Sequence, residues 1–477
     1  MHGAQPEFSK NISQKTGLIL GPVLFLVILL FFDFDPENPI VTRMAAVAAL
    51  MAVWWITEAI PLYATALIPL VLYPLLGILK GKLVAPIYIN STIFLFIGGF
   101  MIALTMEKWK LHKRIALFII RFIGGGPSRI VLGFMIASAF LSMWISNTAT
   151  AIMMVPIGLA IVFQMEERFD PGETHNLTLG LMLGIAYACS MGGIATLVGT
   201  PPNLSFVRIF EITFPNAPLI TFGNWFVMAL PISIIMVIII WLILTKIIFR
   251  VPAGIQVDPQ IVDQEYTRLG KMSFEEKAVM TVFSSTAILW VFRKNLVLGF
   301  LTIPGWSRLL PYPNLIDDGT VALFMAMVMF LIPTRSANAQ SSTLMGSNVI
   351  MKLPWNIVLL FGGGFALAKG FQVTGLSTLI GNEFAGLAGV SPIFMILSVC
   401  FGLTFLTELT SNTATTEMIL PILASVGIAM QVNPLLLMIP ATLSASCAFM
   451  MPVATPPNAI VFGSGRVKIA EMVRAGF

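Results

Sequence analysis

Long apolar runs, cut by short polar clusters, set the pattern of the chain. The first run, residues 16–32, follows a polar segment, 1–15. It lacks a small-residue cleavage site and reads as a retained membrane span. Further spans are expected at about 44–60 and 62–79, around a turn at Glu58-Ala59-Ile60-Pro61, and at 87–106, which carries Phe96-Ile97-Gly98-Gly99-Phe100. Residues 109–122 set Lys110, Lys113, Arg114 and Arg121 among Ile, Leu and Phe, the pattern of a basic amphipathic helix lying along an interface. Its charge places this loop in the cytoplasm, and counting back places Met1 there too.

Residues 127–165 are apolar over a length too great for one span, yet Ser142 and Ser146-Asn147-Thr148-Ala149-Thr150 interrupt the middle. A straight span would turn this cluster toward lipid, where unpaired polar groups are costly. Two half-length helices meeting at the pentapeptide, a re-entrant hairpin, would place it inside. Residues 176–212 are also too long for one span and contain Gly192-Gly193 and Gly199-Thr200-Pro201-Pro202-Asn203. Proline removes a backbone donor, so a discontinuous helix is expected there. A conventional span follows at 225–249, then the polar stretch 252–271, then Ser273-Phe274-Glu275-Glu276, a capping box opening a helix at 274–292. Spans at 319–333 and 354–371 come next, the latter with Phe361-Gly362-Gly363-Gly364-Phe365. Residues 391–432 are interrupted at 407–416, and 434–462 are broken at Ala454-Thr455-Pro456-Pro457-Asn458. Irregular backbone at membrane depth persists only where protein buries it or where it lines a cavity.

The second half repeats the first. Ser146 and Ser411 stand 265 positions apart, as do Phe96 and Phe361, and Pro156 and Pro421. The TPPN-type motifs stand 255 apart. Three features in one register point to a duplicated unit of five spans and a hairpin, whose odd count inverts the second copy. The fold class expected is an all-α polytopic membrane protein of two inverted-topology repeats, each with a re-entrant hairpin and a broken helix. Residues 467–477 align with 220–230, so the sequence is read as stopping before a last span, with ten spans and two hairpins.

Composition agrees. The 477 residues are 57% hydrophobic and 10% charged, with mean hydropathy +0.92, against roughly 25% charged in soluble chains. The net charge of +5 is what lysines and arginines held in cytoplasmic loops produce, and implies no nucleic-acid partner. Cys189, Cys400 and Cys447 lie in apolar segments without ligand-like spacing and read as inert thiols. His2, His112 and His175 fall outside the apolar runs. With no HExxH, GxSxG or P-loop, neither an ATP-driven pump nor a zinc protease has visible machinery, and the chain does not read as an enzyme.

A lone Ser-Asn-Thr in a membrane helix serves interhelical hydrogen bonding or capping as readily as a site; doubled, in register, each followed by a TPPN-type motif, it reads as a binding site. The two Phe-Gly-Gly segments read as close helix packing through small residues. Trp54-Trp55 reads as an interfacial belt. Glu58, Glu408 and Glu417 are membrane-proximal acids and hence functional candidates. For Glu408 and Glu417, proton coupling stands against capping or turn roles.

The two SNTAT pentapeptides, the two TPPN-type motifs and Trp54-Trp55-Ile56-Thr57-Glu58-Ala59-Ile60-Pro61 resemble the divalent-anion/sodium symporter family, the INDY-type carriers, over nearly the whole chain. The paired SNTAT is more similar to bacterial C4-dicarboxylate members than to animal citrate carriers. The resemblance implies sodium-coupled uptake of succinate, malate or fumarate across a bacterial inner membrane, by a homodimer with a fixed scaffold and a transport domain that moves like an elevator. It implies an N-terminal cytoplasmic segment at 1–15, scaffold at 16–126 and 273–390, transport domain at 127–250 and 391–477, and a cytoplasmic linker at 251–272. Carried onto this sequence, the first sodium site would use Ser142, Ser146, Asn147 and Gly199, and the second Thr407, Thr410, Asn412 and Ala454. The substrate would meet Ser146-Asn147-Thr148 and Ser411-Asn412-Thr413, with Thr200, Pro201, Thr455 and Pro456 closing the pocket. No organic cofactor is implied; the partners are the dicarboxylate, sodium and the bilayer. The chain departs from the family in the missing last span.

The residue types suit that chemistry. Hydroxyls, Asn amides and free N–H groups at half-helix N-termini can hold a dianion, each terminus contributing roughly 0.3–1 kcal/mol and up to about 2 when partly buried. That does not offset dehydrating two charges, so bound sodium must supply the remainder, through hydroxyl, amide and carbonyl oxygens. Two readings of the same fold stay open, a citrate or sulfate carrier and a sodium-independent dicarboxylate exchanger; a membrane enzyme or channel is disfavoured, since the sequence carries no nucleophile–base pair, metal cluster or continuous polar pore pattern.

Overall fold

Proline and small polar residues punctuate the chain, and the helices begin and end at them. In a computed structural model, residues 10–169, 171–251, 260–299, 301–336, 341–384 and 390–477 are described. His2, most of the 1–15 segment and residues 252–259 of the linker lie outside them. The first helix, Ile12–Phe31, opens on an Asn11 capping box with Gln14 and packs on Ile40–Thr57. Seven described helices are long and apolar enough to cross a membrane.

The expected hairpins are present. Pro127–Ser142 leads to Asn147–Glu166, and Pro392–Thr407 to Asn412–Ala429. Each first arm has 16 residues, about 24 Å at 1.5 Å per residue, short of a roughly 30 Å hydrocarbon core. Both ends of the two first arms, and both starts of the second arms, differ by the same 265 positions as Ser146 and Ser411. The amphipathic helices Leu111–Ile123 and Leu376–Phe384 start at the same spacing.

The broken helices correct one expectation. Pro201 and Pro202 do not interrupt a helix; they occupy the first positions of Pro201–Thr213, and Pro456 and Pro457 do the same in Pro456–Gly463. A missing N–H is harmless at a position that has no helical acceptor. The breaks precede the prolines. The first lies between Pro171–Gly193 and Thr200; the second spans 445–455, beginning well before the expected Ala454. Asn203 and Asn458 make the breaks tolerable. The Asn203 amide donates to the carbonyls of Gly193, Ile194 and Thr196 at 3.2, 3.3 and 2.7 Å, and the Asn458 amide to those of Ala448 and Met451 at 3.1 Å each.

Trp54 and Trp55 form no interfacial belt. Trp55 is 1% exposed and donates to the Leu62 carbonyl, and Trp54 donates to that of Gly17. Glycines at 17 and 21 leave the surface into which Thr57 and Trp54 fit. The basic face of Leu111–Ile123 is partly covered by protein, with Arg114 buried and Arg121 about half exposed. The linker helix Gln260–Arg268 lies on it through Lys113–Glu265 at 2.9 Å and Arg121–Asp263 at 2.8 Å. Arg114 is buried against Glu276 at 2.8 Å and against the Leu269 and Gly270 carbonyls. Glu276 doubles as the capping-box acid of Ser273, as expected. The only described strands, Leu296–Leu298 and Leu301–Ile303, form a short antiparallel hairpin that the all-α reading did not foresee.

Two hydrophobic clusters result. The smaller joins Val41, Met44, Trp55, Tyr73 and Tyr88 to Leu360 and Phe371; the second hairpin reaches it through buried Ala414 and partly buried Met418 and Ile422. The Phe-Gly-Gly segments pack as expected: side chains at 98, 362 and 363 would collide with Ala322, Tyr88 and Ala66.

Candidate functional site

The hairpin tips and the starts of the second half-helices converge on one cavity of about 1020 Å³. The first hairpin contributes Ser146, Asn147 and Thr148, and the break beside it Gly199, Thr200 and Pro201. From the second half come Thr410, Ser411, Asn412 and Thr413, then Ala454, Thr455 and Pro456. Ser142 and Thr407 do not line the cavity. Both are fully buried behind it, each hydrogen-bonded to the asparagine of its own hairpin.

Four helix N-termini therefore meet at the cavity, those of Asn147–Glu166, Pro201–Thr213, Asn412–Ala429 and Pro456–Gly463. Ser146 and Thr455 cap theirs, accepting from the Ala149 and Asn458 N–H groups at 3.2 and 3.3 Å. Thr200 and Ser411 make no side-chain cap, so both hydroxyls remain available to an anion, as do the first N–H groups of Asn412–Ala429; Pro201 and Pro202 carry none, and the Asn203 N–H donates to the Thr200 carbonyl at 3.2 Å. Among the described residues no lysine or arginine lines the cavity.

In the first half, the Ser142 hydroxyl donates to Asn147 Oδ1, and that oxygen lies against the break. A Cβ on Gly193 would stand 2.8 Å from Asn147 Oδ1 and 3.2 Å from the Gly199 carbonyl oxygen; one on Gly199 would stand 2.5 Å from the Gly193 carbonyl. Only glycine at both positions lets these oxygens gather. In the second half, Thr407 Oγ1 sits 2.7 Å from Asn412 Oδ1 and 3.0 Å from the Ala445 carbonyl. One hydroxyl proton is shared between two acceptors, which leaves acceptor capacity in excess. Thr410 Oγ1 bonds the Leu406 carbonyl and pairs with Thr415 Oγ1, both at 2.7 Å. Neutral oxygens crowded with more acceptors than protons suit a hard cation. Asn203 and Asn458, fully buried, each also leave Oδ1 without a partner among the described residues.

The two acids divide. Glu408 is a cap: its carboxylate accepts from the N–H groups of Phe449, Met450 and Met451 at 2.6, 2.9 and 2.9 Å, holding the second break open. Glu417 is fully buried. One oxygen accepts from the Ser205 hydroxyl, and the other has no partner among the described residues. Neither acid has a counterpart in the first half, where Met143 and Ile152 hold the equivalent positions.

Motif reading missed part of the cavity wall. Asn11, Ser13 and Gln14 line it from the first helix, Tyr63 and Asn356 from elsewhere, and Glu58 stands there in a left-handed conformation, φ 48°, closing Ile40–Thr57. Only Glu58 carried a signal, as an acid at a predicted turn.

Residues 13–477 match the sequence model of the family described as the sodium:sulfate symporter transmembrane region. A Staphylococcus saprophyticus protein named sodium-dependent dicarboxylate transporter SdcS is 41% identical over 478 residues, covering 98% of this chain and 89% of its own. A Staphylococcus aureus protein of the same name is 42% identical over 476 residues, covering 98% and 88%. Among solved structures, the Neisseria gonorrhoeae antimetabolite efflux pump MtrF aligns with a TM-score of 0.57 at 13% identity, over 96% of this chain and 94% of its own. The Alcanivorax borkumensis YdaH transporter aligns at 0.52 and 14%, over 83% and 85%. At such identities these two speak to fold alone.

Proposed function

The chain belongs to the sodium:sulfate symporter family, and on that premise we propose that it carries C4-dicarboxylates such as succinate, malate and fumarate together with sodium across a bacterial inner membrane. One observation carries the reading: two oxygen clusters, Ser142–Asn147 with Gly193 and Gly199, and Thr407–Asn412 with Ala445, flank a cavity that has four helix N-termini and no basic lining. The relatives' printed name, sodium-dependent dicarboxylate transporter, agrees with it.

In this reading Ser142, Ser146, Asn147 and Gly199 hold one sodium, and Thr407, Thr410, Asn412 and Ala454 the other. Ser146-Asn147-Thr148 and Ser411-Asn412-Thr413 receive the carboxylates, and Thr200, Pro201, Thr455 and Pro456 close around them. Two monovalent cations neutralise a dianion, so the loaded site crosses the low-dielectric region without net charge, and the empty site returns carrying no fixed cation. Coupling follows: without sodium the dianion has only partial charges to meet it.

The halves are taken as inverted repeats. Residues 16–126 and 273–390 form the scaffold, and 127–250 and 391–477 the body that moves like an elevator, in a homodimer. With the N-terminus cytoplasmic, the cavity mouth beside Asn11, Ser13 and Gln14 faces inward.

Uptake of labelled succinate into proteoliposomes, with and without a sodium gradient, tests the function. Sodium-driven accumulation is expected. Uptake driven by internal dicarboxylate and indifferent to sodium would replace it with exchange, and preference for citrate or sulfate as competitor would change the substrate.

A further inference from the structure

A second cavity, of about 220 Å³, lies further along the two helices that wall the first. Pro201–Thr213 presents Pro201 and Pro202 to the large cavity and Arg208, Glu211 and Ile212 to the small one. Trp355–Thr374 presents Asn356, Ile357 and Leu360 to the large cavity and Lys369 and Gln372 to the small one. At 1.5 Å per residue, Pro202 to Arg208 is about 9 Å and Leu360 to Lys369 about 14 Å, so the helices run the same way from one cavity to the other. Between them the seam is plugged: Ser205 donates to Glu417, whose other carboxylate oxygen fills the space that a side chain at Gly364 would take.

The charges of the small cavity are unbalanced. Arg208 pairs with Glu211 at 3.0 Å, yet its Nε is buried with no partner among the described residues. Lys369 donates to the neutral Gln372 amide at 2.7 Å and has no carboxylate partner among the described residues. Two cations thus face one acid across a seam at whose far end the large cavity has no lysine or arginine among its described lining residues.

We infer that the cavity between Arg208 and Lys369 is a second, weaker carboxylate-binding site, the vestibule through which the dianion reaches or leaves the seam on the membrane face opposite the open cavity. This deepens the transport reading and rests on it. A cation beside a low-dielectric passage raises the local concentration of an anion and its rate of encounter. Placing the pair beyond the Ser205–Glu417 plug, rather than in the large cavity, gathers the anion without trapping it in the site that must move. Arg208 stands on the body proposed to move and Lys369 on the scaffold, so the pair forms only while Glu417 of the moving body sits against Gly364 of the scaffold.

The test is sided kinetics with succinate, using intact expressing cells for one face and everted membrane vesicles for the other. Lys369→Gln is expected to raise KM about fivefold at the small-cavity face. KM at the other face and the maximal rate should stay unchanged, with the effect shrinking as ionic strength rises. Lys369→Arg should restore wild-type KM. Arg208→Gln also takes the cavity from one net positive charge to none, at a second position; it should act as Lys369→Gln does and keeps the question decidable if one variant fails to insert. Wild-type transport with both variants unchanged at both faces, or altered equally at both, overturns the vestibule alone. Wild type without dicarboxylate transport overturns the transport reading and the vestibule with it.

Discussion

Phe96 and Phe361, equivalent residues of the two halves, meet edge to face with ring centroids 5.3 Å apart and planes at 87°. Equivalent residues that touch lie beside whatever axis relates the two copies, and Phe96 also lines the large cavity. The duplication therefore does more than supply two similar bodies; it brings both copies of the Phe-Gly-Gly segment, and through them both hairpins, to one place.

This contact predicts a coupling. Phe96→Leu and Phe361→Leu each remove an edge-to-face partner while retaining most of the volume. A double-mutant cycle read by thermal unfolding in detergent should give an interaction of about 1 kcal/mol. An additive cycle would mean that the rings merely share a neighbourhood.

The proposed sodium and substrate sites share Ser146, Asn147 and Asn412, but Ser142 and Thr407 belong to the sodium sites alone. Thr407→Val keeps the shape but removes the hydroxyl between Asn412 Oδ1 and the Ala445 carbonyl, and Ser142→Ala removes the equivalent group in the first half. Each should raise the sodium concentration for half-maximal uptake about tenfold, in line with ~1.5–3 kcal/mol for a hydrogen bond to a charged group. Succinate KM at saturating sodium should change little. An unaltered sodium dependence in both would remove these oxygens from the cation sites.

Thr148→Ala and Thr413→Ala should do the reverse. Both residues line the cavity beyond the oxygen clusters. Succinate KM should rise about tenfold per hydroxyl, with melting temperature within a degree or two of wild type. Unchanged KM in both would count against carboxylate binding at the hairpin tips.

Much of this geometry was legible because polar residues are conspicuous in apolar sequence. The hairpin arms begin at Pro127 and Pro392, as proline at a first helical position announces, and the motif tips reach one cavity. The second break was misplaced because part of its support is remote: Glu408 satisfies its backbone from more than forty positions away, while Asn458 acts, as Asn203 does in the first half, on carbonyls seven and ten positions back. Trp55 looked interfacial because an indole with a wet partner and one with a buried carbonyl partner read alike. The Ser205–Glu417 contact, between residues 212 apart, and the burial of Arg114 by the linker depend on tertiary packing alone.

The linker clamp carries a pH dependence outside the membrane. The Lys113 ammonium, hydrogen-bonded to Glu265, holds that carboxyl below its ordinary value of 4.5. A lowered acid stabilises the folded state fully above the unfolded value, and the contribution is lost as pH falls through the lower folded value. Hydrogen exchange in Gln260–Arg268, corrected for its intrinsic pH dependence, should stay flat down to about pH 4.5 and then quicken. In Lys113→Gln the acid keeps Arg268 on its own helix but loses its partner on Leu111–Ile123, so protection at pH 7 should already be reduced and the low-pH step smaller. Identical profiles would mean that the pair does not hold the linker.

Glu408 decides between a cap and a proton carrier. Its carboxylate accepts three backbone N–H groups from residues 449–451, in a break at membrane depth where water is scarce. Glu408→Ala leaves three donors without acceptors, one buried and two part-buried, at up to roughly 1–3 kcal/mol each, and should lower thermal stability clearly or prevent insertion. Glu408→Gln keeps one acceptor oxygen and replaces the other with a donor facing a donor, so it should destabilise by an intermediate amount. A cap makes a second demand that a proton carrier does not. In whatever fraction of Glu408→Gln folds, sodium-driven succinate uptake should follow pH as in wild type, because the carboxylate stays on its three donors throughout the cycle. A well-folded Glu408→Gln whose uptake has lost its pH response would instead make this residue part of the transport chemistry.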